Sequence, residues 1–200
     1  MTVLISESPV NNFSNKLGDF MNRLEQAMEF VFKWEGGYVN HPNDPGGETK
    51  YGISKRAFPH LDIKAMTKER ATRIYKQYYW DAVQADKLES DTLAVAALDT
   101  AVNCGVSRTR RWLEAAKGNE KALLEYRKAH YVGLIESNPK RFKVFEKGWS
   151  NRLNDLCRTI GIEPLWVLEK QDQPKKKKVD TQDEGAVEVG SVVTPSSLDT

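Results

Sequence analysis

Long apolar runs are missing from these 200 residues, and no continuous apolar stretch follows the N-terminal methionine. Residues 1–18 mix Ser, Asn, Glu and Lys, which argues against a secretory signal and against membrane insertion, since a spanning helix needs ~20 apolar residues. Cysteine is nearly absent. Cys104 and Cys157 are too few for a disulfide framework, lack metal-ligand spacing, and each falls in an apolar helical pattern, so reduced core thiols are expected. His41, His60 and His130 have no metal spacing either, and no His-Glu-x-x-His motif occurs, which argues against zinc peptidase or amidase chemistry. There is no Gly-x-Ser-x-Gly elbow, no nucleophilic cysteine signature and no internal repeat. A strong charge of one sign is also lacking. The net charge is +2, and the last thirty residues hold four lysines against six acids, so the body carries a surplus of about four positive charges. That is modest for a nucleic-acid binder, although it suits an anionic polymer.

With 40 % hydrophobic and 29 % charged residues, one core with a soluble surface can form. Residues 1–18 read as a polar N-terminal arm. From Phe20, apolar Leu24, Met28, Val31 and Trp34 recur at helical spacing until Gly36-Gly37. The stretch from Gly36 to Ile53 is dense in Gly, Pro, Asn and Asp, predicting turns and a small hairpin. Helices follow. Thr67 and Asp91 are expected to cap two of them, Gly105 to end the second, and Ser107 to start a short third around Trp112 and Leu113. A fourth passes Leu123, Leu124, Tyr131 and Leu134, and Asn138-Pro139 opens a last one that Gly161 ends. The fold class is therefore mainly α, with a small hairpin or irregular lobe. Its domain spans 19–165, followed by a flexible Lys-rich tail over 166–200; from Gln171 onward the sequence is polar, lacks aromatics and opens with the run Lys175 to Lys178.

Breaking a glycosidic bond requires a carboxyl that stays protonated near neutral pH, and a second polar group that places a water or itself across the sugar. Glu35 suits the first role. It follows Phe32 and Trp34 at a helix C-terminus, where the helix dipole opposes a carboxylate, and Gly36-Gly37 leave its front clear. Asp44 and Thr49 lie in the turn-rich segment that can fold back towards it. Asp44 before Pro-Gly is also a good turn initiator, and Glu48 is a rival second carboxylate. Asp99, on an apolar helix face, would need a partner if buried, which favours a structural hydrogen-bonding role. Tyr38, Asn40 and Tyr51 can stack on and hydrogen-bond a saccharide. Among Tyr75, Tyr78, Tyr79 and Trp80 one or two are expected to touch substrate and the rest to pack.

Glu35-Gly36-Gly37-Tyr38-Val39-Asn40, Asp44-Pro45-Gly46-Gly47-Glu48-Thr49 and Tyr51-Gly52-Ile53 resemble the signature of glycoside hydrolase family 108. Tyr78-Tyr79-Trp80-Asp81, Leu98 to Gly105 and Lys147 to Arg152 are similar to its later blocks, so the resemblance runs from Leu24 to Arg152. It implies a lysozyme-like fold and N-acetylmuramidase activity of the kind common among bacteriophage endolysins, with Glu35 as the catalytic glutamate. The order acid, aspartate, threonine is also similar to the small lysozymes of tailed phages, which implies that Asp44 and Thr49 hold the hydrolytic water. Tyr38, Asn40, Tyr51, Tyr79 and Asn103 form the expected substrate-binding set, and no metal or organic cofactor is needed. Lys117-Gly118-Asn119-Glu120 is read as helical packing rather than a separate wall-binding segment. The implied partner is the glycan strand of peptidoglycan, cleaved by a monomer. Such a protein would be made in a host cytoplasm and reach the wall by holin-dependent release or as part of a virion. The alternative is a catalytically silent peptidoglycan-binding virion or structural protein of the same fold.

Overall fold

The computed structural model describes residues 10–40 and 47–168, with side chains from Arg23 onward. Helix α1 spans Val10–Glu35 and stops at Gly36, whose φ of 69° only glycine adopts without cost. It begins well before the start expected near Phe20. Polar composition suggested an arm, but no proline interrupts residues 10–35 and the backbone there is helical. Three two-residue strands follow: β1 (Tyr38–Val39), β2 (Thr49–Lys50) and β3 (Ile53–Ser54). They form one antiparallel sheet in the order β1-β2-β3, with Tyr38 opposite Lys50 and Lys50 opposite Ile53.

The body is built from α2 (Lys68–Tyr75), which runs into a π-helical turn over Lys76–Trp80, then α3 (Asp91–Cys104), α4 (Val106–Ala116), α5 (Glu120–Ser137), a short α6 (Pro139–Phe142) and α7 (Glu146–Thr159). Local chemistry sets most of these boundaries. The Thr67 hydroxyl accepts from the Arg70 amide, and Asn138 Oδ1 accepts from the Arg141 amide with Pro139 in the first helical position. Two caps differ from expectation. Ser90, not Asp91, caps α3 by accepting from the Leu93 amide, which leaves Asp91 in the first turn to meet the helix dipole and Arg23 at 2.5 Å. Gly105, at φ 85°, both ends α3 and begins α4, so Ser107 lies inside the helix.

Helix α3 is the axis of the molecule. Every residue from Leu93 to Ala101 is buried, and the alanines let α1, α4 and α5 approach it closely. A helix that is apolar on all sides belongs in the interior. Within its buried stretch Asp99 is the single charged residue. Cys104 and Cys157 are both buried and unbridged, as reduced core thiols. No helix among the described residues is long and apolar enough to cross a membrane.

Packing on the helical body continues past 165. Trp166, assigned by sequence to the tail, is only 7 % exposed, and its ring stacks 6.2 Å from that of Tyr131. Its backbone amide donates to Asn154 Oδ1 (2.9 Å) and its carbonyl accepts from Asn154 Nδ2 (2.6 Å). The tail beyond 168 lies outside the described residues. Trp166→Ala should lower unfolding free energy by ~3 kcal/mol in a denaturant titration. A loss below ~0.5 kcal/mol, the scale of an ordinary surface change, would return the boundary to 165.

Candidate active site

The last turn of α1 is stapled to α7 at two points. Asp155 accepts from Lys33 Nζ (2.7 Å) and from Trp34 Nε1 (2.8 Å), and the Arg152 guanidinium lies 5.9 Å from the Trp34 ring centre. Between them Glu35 turns inward, its side chain wholly covered. Glu35 Oε1 accepts from Arg152 Nη1 at 2.7 Å, whereas Oε2 is buried with no hydrogen-bond partner. Burial pushes the Glu35 carboxyl from 4.5 to about 7. Arg152 opposes that rise, and the nearby Asp99 carboxylate adds to it.

Arg152 is shared. Its Nε (3.1 Å) and Nη2 (2.6 Å) both donate to Asp99 Oδ1, while Arg127 Nη1 donates to Asp99 Oδ2 at 2.6 Å. Asp99 and Arg127 are completely buried. Burial opposes ionisation of Asp99, but the two guanidiniums override it and hold its carboxyl below the ordinary range. Glu35, Arg152, Asp99 and Arg127 thus form one continuous chain of buried charges reaching from α1 through α7 and α3 to α5. The expected structural role of Asp99 is what the structure shows.

The sheet closes over this chain through a tight turn. Tyr51 and Gly52 are the two loop residues between β2 and β3, both at positive φ (52° and 75°), as a two-residue type I′ hairpin requires. The Tyr51 carbonyl accepts from the buried Tyr75 hydroxyl (3.0 Å), and the Tyr51 ring packs 5.3 Å from Phe32. Gly52 then lies directly on the acid. A Cβ there would strike the Tyr75 hydroxyl and come within 2.8 Å of Glu35 Oε2. The turn, not a side chain, covers Glu35 Oε2.

Other expected residues are spread more widely. Thr49 lies half-buried on β2, its hydroxyl 3.4 Å from the Gly47 carbonyl. Tyr38, 40 % exposed on β1, donates its hydroxyl to Glu48 Oε1 at 2.9 Å, and the exposed Asn40 also bonds it. Asp44 lies outside the described residues. Asn103 is half-buried and donates to the Asp99 carbonyl (2.8 Å), which ties it to the ionic chain. Tyr79, expected to touch a saccharide, is instead packed in the core: it is 1 % exposed and lies on Tyr75 with ring centres 5.8 Å apart. Aromatics repeated at helical spacing were the interior stripe. Arg127 was not singled out by sequence, and Arg152 entered only within a resembling block. The available signal was Asp99 itself, a carboxylate in an apolar helix that had to find cations.

A carboxyl neutral to about pH 7, with one oxygen anchored and the other free, is equipped to give a proton to a leaving oxygen. It is set between a small sheet and a helical body. The family model of glycosyl hydrolase 108 matches residues 28–105, which hold Glu35 and Asp99 but neither arginine. The solved structure of Brucella abortus SagA is 30 % identical, with the match covering 71 % of this chain and 96 % of that one at a TM-score of 0.53. No curated protein matches the sequence. The chain belongs to glycosyl hydrolase family 108.

Two outcomes follow from this geometry. Gly52→Ala combines a strained φ with a collision at the acid, so it should reduce glycan cleavage at least ~10²-fold and destabilise the fold by more than ~1 kcal/mol. Near-normal rates would mean that the turn is not seated on Glu35. The second concerns stability. Glu35 holds its proton more tightly when folded (about 7) than at its ordinary value of 4.5, so its contribution is full below 4.5 and is lost as pH rises through 7. Glu35→Gln removes that loss. The variant should match wild type near pH 4 and exceed it at pH 8, by up to ~3 kcal/mol in thermal or chemical unfolding. Equal or lower stability at both values would show that Glu35 is already ionised in the folded chain.

Proposed function

We propose that the chain is an N-acetylmuramidase that hydrolyses the glycan strand of peptidoglycan after N-acetylmuramic acid, with Glu35 as general acid. The observation that carries this reading is the buried Glu35 carboxyl, neutral to about pH 7 and with Oε2 unpartnered, in a family 108 chain. In the proposed step Glu35 Oε2 gives its proton to the glycosidic oxygen. The bond from the sugar's anomeric carbon breaks, with its electron pair leaving on that oxygen. A water then adds its oxygen to the anomeric carbon, and its proton passes to a carboxylate. Asp44 is proposed for that carboxylate and Thr49 as its partner in placing the water. Tyr38 on β1 and Asn40 just after it, both exposed, and Tyr51 at the turn are proposed to contact the saccharide. Arg152 is left beside the newly ionised Glu35, which limits the cost of the anion that forms. The resemblance to endolysins supports a monomer acting late in a phage infection, released to the wall from the host cytoplasm.

Mass spectrometry of digested sacculi tests the activity. Fragments ending in reducing N-acetylmuramic acid are expected; anhydro ends, or free stem peptides, would overturn the muramidase assignment. Glu35→Gln should lose ~10²-fold or more in rate while remaining folded, and wild-type activity should fall as pH rises above about 7, where the acid ionises. Asp44→Asn should lose most activity and Glu48→Gln little. The reverse ranking would move the second role to Glu48.

A further inference from the structure

We propose that Asp99 is a positioning residue for the acid: by engaging two of the three guanidinium nitrogens of Arg152, it withholds that cation from Glu35 and keeps Glu35 proton-bearing. This inference rests on the reading of Glu35 as general acid, and it concerns how the chain prevents its own arginine from disabling that acid.

The difficulty is visible in the geometry. An arginine 2.7 Å from a buried carboxyl ordinarily favours the anion strongly, and a bidentate grip more so. Glu35 receives a single contact, from Nη1. Nε and Nη2 of the same group converge on Asp99 Oδ1, at 3.1 and 2.6 Å. Arg152 is therefore oriented by Asp99 and meets Glu35 with one corner. Asp99 also brings its own negative charge into the same dry space. The ionisable neighbours of Glu35 are Arg152 from α7, Asp99 from α3 and the Tyr75 hydroxyl from α2, and Arg127 of α5 is joined to the group through Asp99.

Arg127 sets how much of the Asp99 charge remains available. It donates Nη1 to Asp99 Oδ2 and Nε to the Tyr131 hydroxyl at 3.2 Å, yet its Nη2 is buried without a partner. An unmet guanidinium donor is costly, and a residue serving packing alone would be better replaced by an apolar one. With Glu35 protonated, Asp99, Arg152 and Arg127 leave one net positive charge. Removing the Asp99 charge leaves two positive charges and no competitor for Arg152. Removing the Arg127 charge leaves Asp99 and Arg152 as a neutral pair, with less positive potential at Glu35. The two changes act on the acid in opposite directions, which a merely structural role would not produce.

The test uses the full chain carrying side-chain ¹³C-labelled glutamate. The Glu35 carboxyl signal is identified by its loss in Glu35→Gln and titrated in wild type, Asp99→Asn and Arg127→Gln, beside the pH profile of muropeptide release. Asp99→Asn should lower the Glu35 midpoint, and with it the alkaline limb of activity, by at least about one unit. Arg127→Gln should raise both. Midpoints that stay within a few tenths of wild type, or that move the same way in both variants, overturn the proposal. If Asp99→Asn does not fold, Arg127→Gln decides alone, and an unmoved or lowered midpoint overturns it. Midpoints that move as expected while the activity limbs stay fixed support the hold of Asp99 on Glu35. That result would instead remove Glu35 from the role of general acid.

Discussion

The structure depends on the burial of one carboxylate, Asp99, in the most apolar helix of the chain. Helix α3 can be central only because it is apolar on every side, and a charge at its middle would be prohibitively costly without cations. Both cations come from elsewhere in the sequence, Arg127 from α5 and Arg152 from α7. Removing one partner from such a group typically costs several kcal/mol, so the pairings fix how α3, α5 and α7 register against one another. The apolar contacts around them are permissive by comparison: alanines and leucines tolerate small slides, whereas contacts of 2.6 Å at both Asp99 oxygens do not.

The same pairings explain why an arginine can stand beside the acid. Glu35 needs burial to remain neutral, yet burial with no cation nearby would make its anion very costly. Arg152, turned mostly towards Asp99, is a compromise between the two states. It stands 2.7 Å from Glu35 Oε1 while its Nε and Nη2 are committed to Asp99. Unpaired Glu35 Oε2 and unpaired Arg127 Nη2 are the local costs of that compromise. Costs of this kind collect at functional sites, where stability is given up for chemistry.

Sequence legibility followed the range of the interactions. Features set by a few neighbouring residues were readable: the Thr67 cap, the Asn138-Pro139 start, Gly36 and Gly105 as stops, the hairpin between Gly36 and Ile53, and the place of Glu35 at the end of α1. The misread caps differ by a residue or two, because Ser90 stands beside Asp91 and Gly105 near Ser107 in the chain, and either chemistry can open a helix. Trp166 was missed because the segment around it has no helical period; its burial depends on Asn154 and Tyr131, which lie far back in the chain. The ionic chain was hidden for the same reason. Glu35 and Arg152 are 117 residues apart and Asp99 and Arg152 53 apart, with no local pattern to join them. What the sequence did carry was the anomaly, a carboxylate on an apolar face. Tyr79 shows the converse limit, since an aromatic one turn from Tyr75 looks the same whether it lines a cleft or fills a core.

The sheet is the last element to be explained, because three strands of two residues cannot hold themselves. Its turn even carries a cost, since Tyr51 adopts a left-handed conformation that disfavours a non-glycine residue by ~1 kcal/mol. The helical body offsets this through the Tyr75 hydroxyl on the Tyr51 carbonyl and through Phe32 against the Tyr51 ring. Phe32 lies one turn before Glu35 on α1, and Tyr75 presses on Gly52 beside Glu35 Oε2. The residues that seat the sheet are therefore the residues that enclose the acid. The seating of the sheet and the exclusion of water from Glu35 are in this way consequences of one packing arrangement.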